Sequence, residues 1–178
     1  MPPGKCKADS AQTIAALLLL NLPTPTDAFI ALANMLNRPL PLSFYASDAG
    51  AKQSAYNLLL HTLSQKSPNL HQHLTNMPDH HADLYLESIF TGLFTRHLAL
   101  DEAARLFDVY VFEGDSLLVR AGVALLLQKE MALLGTKSVA EVQEVLGATP
   151  EGAKSPRVMG GNGEEERWMK AVREAGKA

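Results

Sequence analysis

The chain is nearly devoid of cysteine. Cys6 stands alone among 178 residues, so no intrachain disulfide can form and a reducing, cytoplasmic setting is expected. An excess of positive charge is missing too: 16 Lys and Arg face 19 Asp and Glu, a net charge of −3. Phosphate backbones need a clustered positive surface, so nucleic acid is not an expected partner. The apolar run Ile14 to Leu20 falls far short of the roughly 20 residues that cross a bilayer. It follows Lys5 and Lys7 in loose imitation of a secretion signal, but the polar stretch Ala8 to Thr13 separates charge from run. No small-x-small cleavage site precedes Pro23 and Pro25. The run therefore reads as a helix buried on all sides. Strand alternation and short-period repeats are also lacking.

What is present is a globular, helical pattern: 47% of residues are hydrophobic and 20% charged, enough for one sizeable core. Ala8 to Asn21 forms a first helix that Pro23 ends. Thr24-Pro25-Thr26-Asp27 supplies caps for a second, reaching about Asn37, with Phe29, Leu32, Met35 and Leu36 on one face. Pro39 and Pro41 predict an extended connection through Ser43. Asp48 caps Ala49 to Gln65, with Leu58, Leu59 and Leu63 among its apolar positions. Ser67-Pro68 opens a short helix with Leu70 and Leu74, and Asn76 to His81 reads as a polar loop. Ala82 to Thr95 turns Leu86, Ile89, Phe90, Leu93 and Phe94 inward. Leu100 to Phe112 follows, broken at Gly114. Asp115 or Ser116 caps a helix continuous to Leu134, ended by Gly135. Ser138 with Glu141 fits a capping box for Val139 to Leu146. The expected organisation is a lead-in over 1–13, a helical domain over 14–146, a Gly/Pro linker over 147–163 and an amphipathic helix over 164–178. In that last helix Glu166–Lys170 and Lys170–Glu174 can pair on the exposed face, while Trp168, Met169 and Val172 are free to dock on the main domain or on a partner.

Chemistry-bearing constellations are weak. His61, His71, His73, His80, His81 and His97 are scattered. His71 and His73, two apart, do not share a helix face, and no cysteine or carboxylate completes a tetrahedral set, so no metal site is expected. Gly160-Gly161-Asn162-Gly163 lacks the Gly-Lys-Ser/Thr ending of a phosphate loop and has no strand before it. No nucleophile-elbow context surrounds any serine. Arg167, Lys170, Arg173 and Lys177 interleave with Glu164, Glu165, Glu166 and Glu174, a solvated face rather than an anionic-membrane patch. On these grounds no catalytic, cofactor-binding or metal-binding residue and no cofactor is assigned.

Two segments carry more. One is Asp27-Ala28-Phe29 through Asn37-Arg38-Pro39, then Phe44-Tyr45. The other runs from Tyr85-Leu86 through Phe90 and Leu93-Phe94 to Leu98–Asp108, then Glu113-Gly114. In order and spacing, over roughly Ile14 to Leu146, they resemble the C-terminal half of the TBC domain of Rab-GTPase-activating proteins. The resemblance implies an all-α irregular multi-helix bundle, a Rab-type small GTPase as partner, a role in vesicle trafficking and peripheral association with endomembranes. Arg105 and Asp108 can pair on one helix face, and Gly114 can reverse the chain. Ile89 and Phe107 stand where the family usually has tryptophan, and Ala99 where it usually has proline.

The resemblance fades at the N-terminus. The family is similar throughout in using an arginine finger within Ile-x-x-Asp-x-x-Arg and a glutamine finger within Tyr-x-Gln-Gly-Met. Counting back from Ile14, the tyrosine position falls on Lys7 and the glutamine on Asp9, with Ser10 and Ala11 for Gly-Met. The arginine motif would fall upstream of Met1. The chain is thus expected to be a regulator without its fingers: a Rab binder that does not accelerate hydrolysis alone, a truncated product of an active activator, or a helical scaffold that no longer touches a GTPase. The helix Ile14 to Leu20, without a covering half, predicts an exposed apolar patch and self-association.

Overall fold

Proline and short polar caps fix most helix starts. The computed structural model describes residues 3–78, 81–147 and 163–177, with side chains from residue 8. His80 and the Gly/Pro-rich stretch 148–162 lie outside the described residues. Among the described residues there are eleven helices and no strand: α1 (Pro3–Asn21), α2 (Pro25–Leu36), α3 (Pro39–Tyr45), α4 (Ala49–Lys66), α5 (Pro68–Thr75), α6 (Ala82–Thr91), α7 (Leu100–Glu113), α8 (Asp115–Gln128), α9 (Glu130–Leu134), α10 (Val139–Leu146) and α11 (Glu164–Ala175). The expected all-α bundle is thus what the chain forms. Caps satisfy first-turn amides that a helix cannot satisfy itself. Thr24 Oγ1 accepts from the Asp27 amide at 3.1 Å, Asp48 Oδ1 from Ala51 at 3.0 Å and Ser67 Oγ from Leu70 at 3.2 Å. Ser138 Oγ accepts from Glu141 at 3.3 Å, while the Glu141 carboxylate reaches back to the Lys137 amide at 2.7 Å.

Six local expectations are corrected. The Pro39–Ser43 stretch is helical, because both prolines sit in the first turn of α3, where a missing N–H costs nothing. The first-turn amide of Leu40 is capped by Asp115 Oδ2 at 2.8 Å, from 75 residues away. That commits Asp115 to another helix: α8 itself starts at Gly114 without a side-chain cap. The helix from Ala82 stops at Thr91, and the stretch Asp115–Leu134 is split at Lys129 (φ −103°, ψ 11°) into α8 and α9. Leu58 is exposed, although Leu59 and Leu63 are fully buried. Finally, Ile14–Leu20 is not covered all round: Ile14, Leu17 and Leu18 are buried, but Leu19 and Leu20 are 53% and 70% exposed.

α8 is the centre. From Leu117 through Leu126, every residue except Arg120 is buried, and α4, α7 and α11 pack on it. Gly122 permits the α4 approach: a Cβ there would lie 2.5 Å from Leu59 Cδ1. On the α3–α4–α6 side an aromatic cluster fills the core. Phe44 and Phe90 stack with centroids 5.0 Å apart, Tyr56 meets Phe44 edge-on at 5.7 Å, and Phe94 meets Phe90 at 6.4 Å. Ile89 and Phe107 are buried, so apolar bulk is kept where tryptophan was expected. Ala99 holds a proline-like φ of −64°, but its N–H donates to Glu102 Oε2 at 3.0 Å. A proline could not make that bond, so the departure from the family pattern gains a cap as it loses a ring.

The tail helix docks on its own domain. Trp168, Met169, Val172 and Ala175 are buried against α7 and α8. Glu166 lies 3.7 Å from Arg105, which also lies 3.8 Å from Asp108, as the spacing suggested. These side chains are largely exposed, so the pairs contribute little. Apolar burial, not charge, holds α11 in place.

Gly114 reverses the chain between α7 and α8 with φ 73° and ψ −160°, a conformation only glycine adopts readily. A Cβ there would also sit 3.3 Å from Arg38 Nη1. Arg38 is itself fixed, with its guanidinium 4.7 Å from the Tyr110 ring and bonded to Val111 O at 2.9 Å. Gly114→Ala is expected to cost about 1–3 kcal/mol, read as a lower denaturant midpoint at unchanged slope.

Candidate functional site

α1 lies between two grooves, and both are built from its exposed flanks. The first is a cavity of about 510 Å³ between α1 and the start of α7, lined by Asp9, Gln12, Thr13, Leu20, Thr95 and Arg96 among others. Asp9 is partly buried at this groove, while Ser10 behind it is fully buried. The opposite wall depends on the turn after α6. Leu93 and Phe94 take left-handed φ values of 44° and 68° with both side chains completely buried. Such residues cost on the order of 1–3 kcal/mol each and persist only where packing over-determines them. The Phe94 amide donates to Ile89 O, five residues back, at 3.0 Å, a local bond that closes a helix end. This tight turn presents Thr95 to α1, where its Oγ1 lies 2.8 Å from Thr13 Oγ1, and places Arg96 on the groove wall.

Chemically, this groove has one carboxylate, one guanidinium and, at Gln12, one side-chain amide. Asp9 accepts hydrogen bonds when ionised but has no amide N–H to donate, which is what a glutamine at that place would offer to a water molecule. Arg96 supplies a cation, and the sequence reading did not single it out. Nothing in the local pattern marks it, because the left-handed turn that aims it is invisible to helical periodicity.

The second groove, about 630 Å³, runs between α1, α2 and α7. Its floor is apolar: Leu17, Leu18, Met35 and Phe107 are buried there, and Ile30 and Val111 stand half-exposed along it. Asp27, Asp108 and Arg38 lie on its margin.

The histidines divide. Among the described residues no three His, Cys, Asp or Glu side chains are grouped to hold a metal. His61 and His81 are exposed, and His71 and His73 partly so. His97 is different. Its Nδ1 lies 2.7 Å from Leu146 O and its Nε2 3.3 Å from Ser88 Oγ. The neutral ring therefore donates from Nδ1 to the carbonyl and accepts at Nε2 from the serine hydroxyl. Burial pushes its pKa down to about 4, opposed by the bond to Leu146 and helped by the charge of Lys129. His97 clamps the end of α10 to the turn after α6. It is a structural residue, away from both grooves.

Tyr56, Lys52, Asp83 and Glu87 form a further polar cluster joining α4 to α6. Lys52 Nζ lies 2.7 Å from Asp83 and 2.9 Å from Glu87, and Tyr56 Oη donates to Asp83 at 2.7 Å. Burial raises the Tyr56 hydroxyl far above its usual range, and the neighbouring carboxylates add to this. The hydroxyl is thus a fixed donor, which suits structural bridging rather than proton transfer.

Residues 10–134 match the profile of the Rab-GTPase-TBC domain. The matched span begins one residue after Asp9 and runs from α1 to the end of α9. TBC1 domain family member 14 of Rattus norvegicus is 37% identical over 115 residues, 64% of this chain and 16% of that protein. TBC1 domain family member 12 of Xenopus tropicalis is 34% identical over 147 residues, 83% of this chain and 21% of that protein. A TBC domain-containing protein of Schizosaccharomyces pombe is 36% identical over 107 residues, 60% of this chain and 22% of that protein. The chain thus spans about a fifth of the length of these relatives.

Proposed function

Because this chain belongs to the Rab-GTPase-TBC domain family, we propose that it acts in Rab regulation as the helical, finger-free part of a GTPase-activating domain, contacting a Rab-type GTPase without accelerating hydrolysis by itself. The observation that carries this is Asp9. It stands on α1 at the edge of the first groove, at the position where the family resemblance places the glutamine finger. An arginine finger supplies about 10³ to 10⁵ in rate by stabilising charge on the transferring phosphoryl group, equivalent to roughly 4–7 kcal/mol of barrier. No Ile-x-x-Asp-x-x-Arg segment occurs in the 178 residues. An aspartate at the glutamine position brings negative charge near phosphates and cannot donate to the attacking water. The family relationship supports vesicle trafficking as the process and the cytoplasmic face of endomembranes as the place of action. No helix among the described residues is long and apolar enough to cross a membrane.

Two measurements on the purified chain test this reading. Single-turnover hydrolysis by a panel of GTP-loaded Rab proteins is expected to proceed at the intrinsic rate. Pull-down against the same panel is expected to show GTP-dependent capture of at least one member. Stimulated hydrolysis would mean that the chain carries functional fingers after all. Failure to capture any Rab would favour a helical scaffold that no longer touches a GTPase.

A further inference from the structure

A third cavity carries chemistry unlike that of the two grooves. It measures about 540 Å³ and lies between α5 and the turn that leads from α9 into α10. It shares no residue with either groove beside α1. On one wall Asn69, Gln72 and His73 lie on α5, and Asn76 caps its end. Steps of three and four residues put these four on one face, while Leu70 and Leu74 turn away from them into the core. Leu134, Thr136 and Lys137 form the facing wall.

That facing wall is anchored. The buried Thr136 donates its hydroxyl to Leu133 O at 2.6 Å, and the Lys137 amide donates to Glu141 Oε2 at 2.7 Å. The Glu141 carboxylate is thereby held at the backbone, and the exposed Lys137 ammonium makes no ion pair among the described residues. Both grooves beside α1 carry aspartate. Here the described lining holds a lysine, an imidazole and three carboxamides, with no Asp or Glu. His73 adds an unmet bond. Its Nε2 is buried and has no hydrogen-bond partner. A polar face that is merely solvated meets its needs with water, whereas a buried nitrogen without a partner is costly and rarely kept.

Donors on two facing walls suit a ligand whose acceptors point in several directions. A phosphate monoester offers three strong acceptor oxygens and negative charge, whereas a carboxylate offers two oxygens in one plane. The cavity also falls within the roughly 300–1,000 Å³ of small-molecule sites, which leaves room for the esterified alcohol beside the phosphate.

We propose that this cavity binds a phosphate monoester, with Lys137 and His73 holding phosphate oxygens and the carboxamides of Asn69, Gln72 and Asn76 holding the rest of the headgroup. A soluble phosphate ester and the headgroup of a phosphorylated lipid present the same chemistry, and two probes tell them apart.

The full chain is titrated with β-glycerophosphate at constant ionic strength, with glycerol as the control. Saturable heat of binding and a Tm that rises with ligand concentration are expected, and neither is expected from glycerol. Lys137→Gln, at an exposed position, is expected to weaken binding by about 10-fold or more through loss of a charge-assisted bond. His73→Leu gives a second readout. It removes the unpartnered nitrogen, so the free chain is expected to keep or gain thermal stability while the ligand-induced rise in Tm shrinks. A histidine with a purely structural role would not separate those two effects. For the lipid source, cosedimentation is measured with phosphatidylcholine vesicles containing phosphatidic acid, a monoester, or phosphatidylglycerol, an equally anionic diester. Capture by phosphatidic acid alone, lost in Lys137→Gln, assigns the site to a lipid headgroup. Binding of β-glycerophosphate without vesicle capture assigns it to a soluble ester. Absence of binding to both monoesters would overturn the proposal, as would affinities unchanged by Lys137→Gln.

Discussion

Phe90→Ala is expected to lower the unfolding free energy by about 3–5 kcal/mol. Phe90 is 1% exposed. Its ring stacks on Phe44 of α3, lies 6.3 Å from Tyr56 of α4 and 6.4 Å from Phe94, and comes close to Gly122 of α8. Four helices and the turn after α6 therefore share one ring. Removing it leaves a cavity that rigid helices cannot collapse around without losing their other contacts. A second cost follows from position. Leu93 and Phe94 hold left-handed backbone only because their side chains are locked in the same cluster. With Phe90 gone, that turn is free to relax, and the Thr13–Thr95 contact and the placement of Arg96 at the first groove weaken with it. The expected readouts are a lower urea midpoint at unchanged slope and a Tm drop of roughly 2–4 °C per kcal/mol for a domain of this size. Phe90→Leu, which keeps most of the volume, is expected to cost well under half as much. A loss below about 1 kcal/mol for the alanine variant would show that the cluster does not depend on this ring.

Mild acid is expected to destabilise the chain through His97. The folded ring holds its proton with a pKa near 4, against about 6.5 when unfolded. Between those values the unfolded chain binds more protons, so stability rises with pH across that window. The contribution is complete above about pH 6.5 and is lost as pH falls toward 4, amounting to about 2–3 kcal/mol. The physical cause is local. A second proton has to enter at Nε2, where Ser88 already donates, in a buried place flanked by the charges of Lys129 and Arg96. Lys129 Nζ donates to Val145 O at 2.6 Å, one residue from the carbonyl that His97 holds, so its charge stays close. Urea midpoints measured from pH 7 to pH 4 are expected to fall more steeply in the unaltered chain than in His97→Asn. The asparagine keeps an N–H for the Leu146 carbonyl but has no proton to gain. Equal slopes for the two proteins would rule His97 out as the source.

For a helical chain of this kind, local chemistry is read easily. Side-chain caps at Thr24, Asp48, Ser67 and Ser138 are encoded within three residues of the amides they satisfy, so the starts of α2, α4, α5 and α10 follow from sequence. So does the inward stripe of α6, because helical periodicity alone determines it. The family resemblance was also legible, because it rests on the order and spacing of such local signals over most of the chain. The pairing of Asp9 with the glutamine finger is a proposal that comes from counting back from Ile14, not from coordinates.

Tertiary structure decided what depends on partners distant in sequence. The Pro39–Pro41 stretch became helical with an amide capped by Asp115, a residue that local reading had assigned to its own helix. Leu93 and Phe94 left the helix because burial in the aromatic cluster outweighs the strain of left-handed backbone. Helical periodicity identified both residues as buried but could not show the turn that buries them, nor the groove wall it creates. The apolar run Ile14–Leu20 shows the same division. Its sequence is apolar on every side, so composition alone predicts burial everywhere, yet α2, α6 and α7 cover only part of it and leave Leu19 and Leu20 outside. Sequence by itself determined that the chain is a TBC-type helical domain. Which faces of its first helix border the two grooves was settled only by packing, because exposure belongs to the surrounding helices and not to the residues themselves.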